Sequence, residues 1–387
     1  MVVKNRPIPF RGRSLRVCLQ SGAPEDIRAT IPRVLRPSGE VRDTPTGRAA
    51  LIQVGVVGFG YWGPNFARVF HSLSGCDLVG ICDTRPEARA SAEKLYPGVS
   101  VVPDLDDLLE MGIDAAVVAT PASTHCEVAG RLLDEGVDVL VEKPLAMSVA
   151  EGRLLRTKAE THRRVLMVGH LLEYHPGLVA FRDTVRSGEL GDLYYLYCTR
   201  LNLGKVRAAE SALWDLAPHD VSIIRFLTDA RPISVSAQGG SYLRPGLEDV
   251  VFATIRFEGG IVAHLHVSWL DPHKVRRITV VGSRRMAVFD DMEPSEKVRI
   301  IDKGIDTTEY YESFQDAITE RVGDVRIPPV PTGEPLKFEA LHFLDCVLDR
   351  SKPRTDADNG LRVLEVLEGI ERSIANDGSA SAIGGDA

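Results

Sequence analysis

From Leu51 onward the chain alternates short apolar runs with longer amphipathic stretches. The runs are LIQVGVVG (51–58), CDLVGICD (76–83), VSVV (99–102), IDAAVVAT (113–120), VDVLVEK (137–143) and RVLMVGH (164–170). Helices are predicted between them at about 63–74, 86–95, 104–111, 122–135 and 148–162. That alternation is the signature of βαβ units on a parallel sheet.

After Pro176 the pattern changes. One helix is predicted near 177–187, and then DLYYLYCTRLNL, ISVSAQGGSYL, DVVFATIRFEGGIVAHLHVSWL and VRRITVVGSRRMAVFDD alternate with period two. Turns such as Glu258-Gly259-Gly260 join them, which predicts an antiparallel meander on one large sheet. A helix at about 212–227 interrupts the meander, and two more, near 335–349 and 358–376, close the chain. The expected organisation is a doubly wound α/β domain over 51–172 and an α+β domain over 173–377. A flexible arginine- and proline-rich extension (1–50) is expected before them, and a disordered Gly/Ala/Ser tail (378–387) after them. The extension also admits a targeting peptide, against which Glu25 and Asp26 argue.

With 387 residues and a formal net charge of −8, the chain has room for two cores and lacks the basic excess of a nucleic-acid binder. Its six cysteines form no CxxC pair and read as buried thiols in a reducing, cytoplasmic setting. No apolar run is long enough to span a membrane.

Candidate chemistry begins at VGVVGFGYWGPNF, where Gly58, Gly60 and Gly63 stand at GxGxxG spacing between a strand and a helix. Gly58 ends the strand, Gly60 leaves room for a pyrophosphate, and Gly63 opens a helix whose N–H groups and dipole favour an anion. The second strand ends in Asp83, placed to hold the hydroxyls of the adenosine ribose, which favours NAD over NADP. Arg85 could instead pair with a 2′-phosphate, or simply begin a helix.

At the carboxyl end of the fifth strand, where open α/β sheets bind ligands, stand Glu142, Lys143 and Pro144. Lys143 reads as a site residue or as the partner of Glu142 at the sheet edge. In ALWDLAPHDVSII, Asp215 and His219 are four apart and share one helical face. They suit a histidine acid/base tuned by a carboxylate. The alternative is a core histidine, with Asp215 and Asp220 as a cap and a surface pair. Arg200, Asn202, Lys205 and Arg207 in RLNLGKVR could meet a substrate phosphate or carboxylate, or form a solvated loop. His264 and His266 share a strand face without a third ligand, and no metal is expected.

With GFGYWGPN, EKP and DLAPHD in one order, the chain resembles the Gfo/Idh/MocA family of NAD(P)-dependent oxidoreductases over roughly 51–375. The resemblance implies a Rossmann domain, with Phe59, Tyr61 and Trp62 in the cofactor turn. It also implies a C-terminal domain whose open sheet forms dimers or tetramers, and a cis peptide at Lys143-Pro144. It makes Lys143 the group touching the nicotinamide ribose and the reacting hydroxyl, His219 the acid/base, and Asp215 a substrate-holding partner. Thr120, Pro121 and His125 fall beside the nicotinamide. Ala212, Leu213 and Trp214 replace a glycine-rich stretch common in the family, implying a different pocket wall. The implied substrate is a sugar, most of all a nucleotide-linked hexose or hexuronate reacting at carbon three. The alternatives are a free polyol of the inositol type, an NAD-dependent glycosidase and a non-catalytic NAD-binding regulator.

Overall fold

The computed structural model describes residues 51–204, 210–307 and 318–384. The extension with Cys18, the loop cations Lys205 and Arg207, and the last three residues lie outside the described residues. The chain begins with β1 (Ile52–Val57), α1 (Gly63–Ser72), β2 (Cys76–Cys82), α2 (Pro86–Leu95), β3 (Ser100–Val102) and α3 (Leu105–Leu109). It continues through β4 (Ala115–Val118), α4 (His125–Asp134), β5 (Asp138–Glu142), α5 (Val149–Thr161) and β6 (Leu166–Gly169). These strands form one parallel sheet in the order β3-β2-β1-β4-β5-β6. The order reverses between β1 and β4, so the crevice beyond their carboxyl ends lies at a topological switch point, where ligands bind in such sheets.

The second part holds α6 (Pro176–Arg186), β7 (Leu193–Leu201), α7 (Ala212–Thr228), β8 (Pro232–Gly240), β9 (Val250–Phe257), β10 (Val262–Ser268) and β11 (Val275–Gly282). It ends with β12 (Met286–Asp290), β13 (Val298–Thr307), β14 (Ile318–Arg326), α8 (Pro335–Asp349), α9 (Ala357–Ala375) and β15 (Ser381–Ala382). Among the described residues nine strands make one sheet, antiparallel except where β10 runs parallel beside β7. Period-two alternation puts Leu196, Cys198, Ala253, Ile255, Ala263 and Leu265 under α7 and α9. It leaves Tyr195, Tyr197 and Phe252 exposed on the opposite face.

Two features depart from the sequence pattern. The tail expected to be disordered adds β15 to the edge of β8, pairing Ser381 with Val235 and Ala382 with Ser234, and buries Ile383. An apolar side chain directly after a run of small ones, next to an unpaired strand edge, is enough to order it. The helix α8 packs on α1 of the first sheet, with Phe343 edge-on to Phe70 at 6.5 Å. Both rings are fully buried, each contributing about 1.5–3 kcal/mol of transfer free energy. The two sheets therefore share cores within a single compact unit.

Candidate active site

The three glycines of the first turn do different work. Gly58 has φ +93°, and a Cβ there would lie 2.7 Å from the Ala119 carbonyl group, so the turn and the close approach of β4 both require glycine. At Gly63 a Cβ would overlap the Gly58 carbonyl oxygen, so this position sets how tightly α1 packs on β1. Gly60 is different: its nearest neighbour would be Arg85 Nη2 at 3.6 Å, leaving space for a ligand. The N-terminus of α1 behind that space turns the positive end of its dipole toward an anion, and the turn fits a dinucleotide pyrophosphate.

Asp83 ends β2 and accepts from the Phe59 N–H at 2.7 Å, which ties the second strand to the glycine turn. Arg85 folds back onto it, donating from Nε at 3.1 Å and from Nη2 at 2.9 Å. Burial alone would raise the Asp83 carboxyl, but the Arg85 guanidinium and the N–H groups of Arg85 and Phe59 outweigh it and hold it below the ordinary carboxylate value. The Asp83 carboxylate is thus held charged, and Arg85 is engaged in keeping it so.

Lys143 follows β5, and its peptide to Pro144 is cis. The Glu142 carboxylate accepts the Lys143 main-chain N–H at 2.8 Å. The side chain is thereby left to reach across to α7, where Nζ donates to the Asp215 carbonyl at 2.9 Å and stands 3.5 Å from Asp215 Oδ1. Pro218, inside α7, has no N–H for the preceding turn and crowds it, which opens first-turn carbonyls to other donors. His125, 1% exposed, sits between the Pro144 and Thr120 carbonyls at 2.8 and 3.0 Å. Burial keeps it below its ordinary value, with Lys143 adding to the effect against the two carbonyls. It braces the loops after β4 and β5 from behind; Thr120 also takes a hydrogen bond from Thr124 Oγ1 at 2.9 Å.

Lys143, Asp215, His219, Arg200 and Asn202 line one cavity of about 870 Å³, together with Tyr61 and Trp62 from the glycine turn. An ammonium from the first sheet and an imidazole from α7 thus open into the same space. Asp215 is held by Trp269, whose Nε1 donates to Oδ2 at 3.2 Å. Nδ1 of His219 is enclosed without a hydrogen-bond partner among the described residues, leaving Nε2 as the nitrogen available to the cavity. Burial, then Lys143 and Arg200, depress His219 well below its ordinary value, so the ring is neutral.

Arg200 was expected to meet substrate, but its guanidinium is engaged by the buried Asp220 carboxylate at 2.7 and 2.9 Å. The same bond shows Asp220 to be neither a cap nor a surface partner. Trp214 does not form the pocket wall either, since it is buried and donates to Glu371 on α9 at 2.6 Å. Sequence reasoning missed Trp269, Lys274 and Arg276, which line the cavity. Register places Arg276 opposite Arg200; the alternation in HKVRR was the only signal. His266 stacks on Phe252 at 4.3 Å, and no metal-binding group of three is found among the described residues. Nor is any helix among them long and apolar enough to cross a membrane.

Residues 52–170 match the family described as "Oxidoreductase family, NAD-binding Rossmann fold" (GFO_IDH_MocA), and residues 178–288 match the GFO/IDH/MocA C-terminal domain. UDP-N-acetylglucosamine 3-dehydrogenase of Acidithiobacillus ferrooxidans is 30% identical over 240 residues, covering 62% of this chain and 74% of its own. Inositol 2-dehydrogenase 2 of Paenarthrobacter aurescens is 29% identical over 228 residues, 56% of this chain and 68% of that one. A solved structure of the A. ferrooxidans enzyme superposes with a TM-score of 0.71 at 25% identity, covering 85% of this chain and 99% of that one.

Proposed function

The chain belongs to the Gfo/Idh/MocA family of NAD-binding oxidoreductases, and we propose that it interconverts a secondary alcohol and a ketone at carbon three of a nucleotide-linked hexose or hexuronate. The observation that carries this reading is the convergence of Lys143 and His219 on one cavity beside the glycine turn.

Gly58 to Gly63, Asp83 and the loop of Thr120 and Pro121 would hold NAD, which would supply the hydride acceptor. The chain's own residues supply the rest. His219, neutral and open to the cavity through Nε2, takes the hydroxyl proton. The Lys143 ammonium, fixed by the Asp215 carbonyl, stabilises negative charge developing on that oxygen, and Asp215, steadied by Trp269, holds a neighbouring hydroxyl.

Two observations support the nucleotide-linked substrate over a free polyol. The cavity lies in the upper part of the roughly 300–1,000 Å³ range of sites for drug-sized ligands, more than one sugar ring fills. Lys274 and Arg276 add positive charge along the wall that a phosphate or carboxylate would meet. The name of the A. ferrooxidans relative agrees with this choice.

The test is a panel of UDP- and dTDP-linked hexoses and hexuronates beside myo-inositol, each with NAD, scored by NADH absorbance. NADH from a nucleotide-linked sugar supports the reading. NADH from myo-inositol alone transfers the enzyme to polyols, and NAD-dependent glycoside cleavage without net NADH identifies a glycosidase.

A further inference from the structure

His170 stands directly after β6, beside Lys143 on the neighbouring strand, because Glu142 pairs with Gly169 in the sheet. Its ring is 2% exposed, and both of its nitrogens are enclosed without a hydrogen-bond partner. The same is true of Nδ1 of His219, one helical turn beyond the Asp215 carbonyl that receives Lys143. His170 lies near enough to act on the charge of His219, and Lys143 acts on both rings, so the three orphaned imidazole nitrogens share one enclosed region beside that lysine. Buried polar atoms in native proteins are nearly always satisfied, so such a concentration calls for a shared explanation.

The charges around these rings narrow it. Lys143, Arg200 and Arg276 face His219, Asp215 lies on its own helix, and Lys143 and Arg225 face His170. Burial, then Arg225 and Lys143, bring His170 down to about 3, so both rings are neutral near pH 7 and each carries one N–H. A base that accepts a proton at Nε2 must carry its own proton on Nδ1. That N–H points into enclosed space where the protein supplies no acceptor, which by itself disfavours the productive tautomer.

We propose that His170 is a positioning residue for His219, the two rings sharing one buried bridging water that accepts from His219 Nδ1–H and donates to an unprotonated nitrogen of His170. The arrangement fixes the His219 ring with Nε2 free. A polar site with several converging partners is the kind that retains a buried water. This role rests on the reading of His219 as the proton acceptor.

Two variants and two readouts test it. His170→Phe keeps a planar ring but cannot hydrogen-bond, and His170→Asn keeps a donor and an acceptor. Nitrogen-15 spectra of the histidine rings, with His219 assigned by comparison with His219→Asn, should show one tautomer protonated at Nδ1 in the unaltered protein. They should show a mixture in His170→Phe and recovery in His170→Asn. In turnover, His170→Phe should lower kcat about tenfold or more and move the acid limb of its pH profile, with KM within about twofold. His170→Asn should regain most of the loss. An unchanged His219 tautomer and pH profile in His170→Phe overturns the proposal while leaving the dehydrogenase reading intact. A His219→Asn enzyme with undiminished turnover refutes that reading, and the proposal falls with it. If His170→Phe does not fold, His170→Asn alone decides: a mixed His219 tautomer in a folded variant contradicts the proposal.

Discussion

The ammonium of Lys143 donates to the main-chain carbonyl of Asp215 at 2.9 Å, fastening the end of β5 to the first turn of α7. One hydrogen bond thus sets the position of the cation relative to His219, which sits four residues further along the same helix. Lys143→Met keeps the length of the side chain and removes its charge. Loss of one preorganised donor at a developing oxyanion costs roughly 10²–10³ in kcat, and that is the expected fall here. NAD affinity, measured by titration, should stay within about threefold because the glycine turn and Asp83 lie elsewhere on the sheet. Turnover within a factor of a few of the unaltered enzyme would remove Lys143 from the chemistry.

The glycine turn separates fold from ligand. Gly63→Ala sets a methyl against the Gly58 carbonyl and should lower the melting temperature sharply, because overpacking costs about 1–3 kcal/mol or more. Gly60→Ala meets only the Arg85 guanidinium, at an ordinary contact distance of 3.6 Å, so the melting temperature should hold while NAD affinity drops. Equal behaviour of the two in thermal melts would contradict this division.

Glu339 of α8 is fully buried, and neither carboxyl oxygen has a hydrogen-bond partner. Burial, reinforced by Glu142 and Glu173, pushes its pKa well above the ordinary value. A group raised on folding contributes most below its unfolded value, near pH 4.5, and that contribution is lost as pH climbs through the folded value. Glu339→Gln should therefore gain stability relative to the unaltered protein as pH rises above about 5, by about 1.4 kcal/mol per pH unit until the folded value is passed. Denaturant midpoints from pH 4 to 8 check it, and a difference that is flat with pH would oppose it.

The exposed face of the second sheet carries Tyr195 and Tyr197 stacked at 6.5 Å, with Phe252 and His266 nearby. A contiguous aromatic face on a wide sheet fits a second copy of the chain. Sedimentation velocity should show a dimer or tetramer, and Tyr197→Glu should shift it toward monomer. A monomer at all micromolar concentrations would rule out this face as an interface.

Much of the fold was legible because its signals are local. The alternation of runs and helices gave both sheets, and the glycine spacing gave the turn. Lys143 was visible because a lysine between a buried strand and a proline has few structural reasons to be there, and Asp215 with His219 because their spacing fixes a common face. What escaped depends on register and distant pairing. Arg276 reaches the cavity only because β11 aligns it with Arg200, and Arg200 looked free because Asp220, twenty residues away, lies on a helix the sequence does not place against β7. Trp269 joins Asp215 across 54 residues. The tail gained its strand from an edge that the sequence does not reveal as unpaired.

The central claim is that one carbon, held between Lys143 and His219, gives up its hydride while its hydroxyl gives up a proton. The most direct measurement follows deuterium from carbon three of a nucleotide-linked hexose or hexuronate into NADH, read by mass spectrometry. The account predicts label in the reduced cofactor with the unaltered enzyme and essentially none with Lys143→Met or His219→Asn. Reduced cofactor formed without label, or labelled equally fast by both variants, would contradict it.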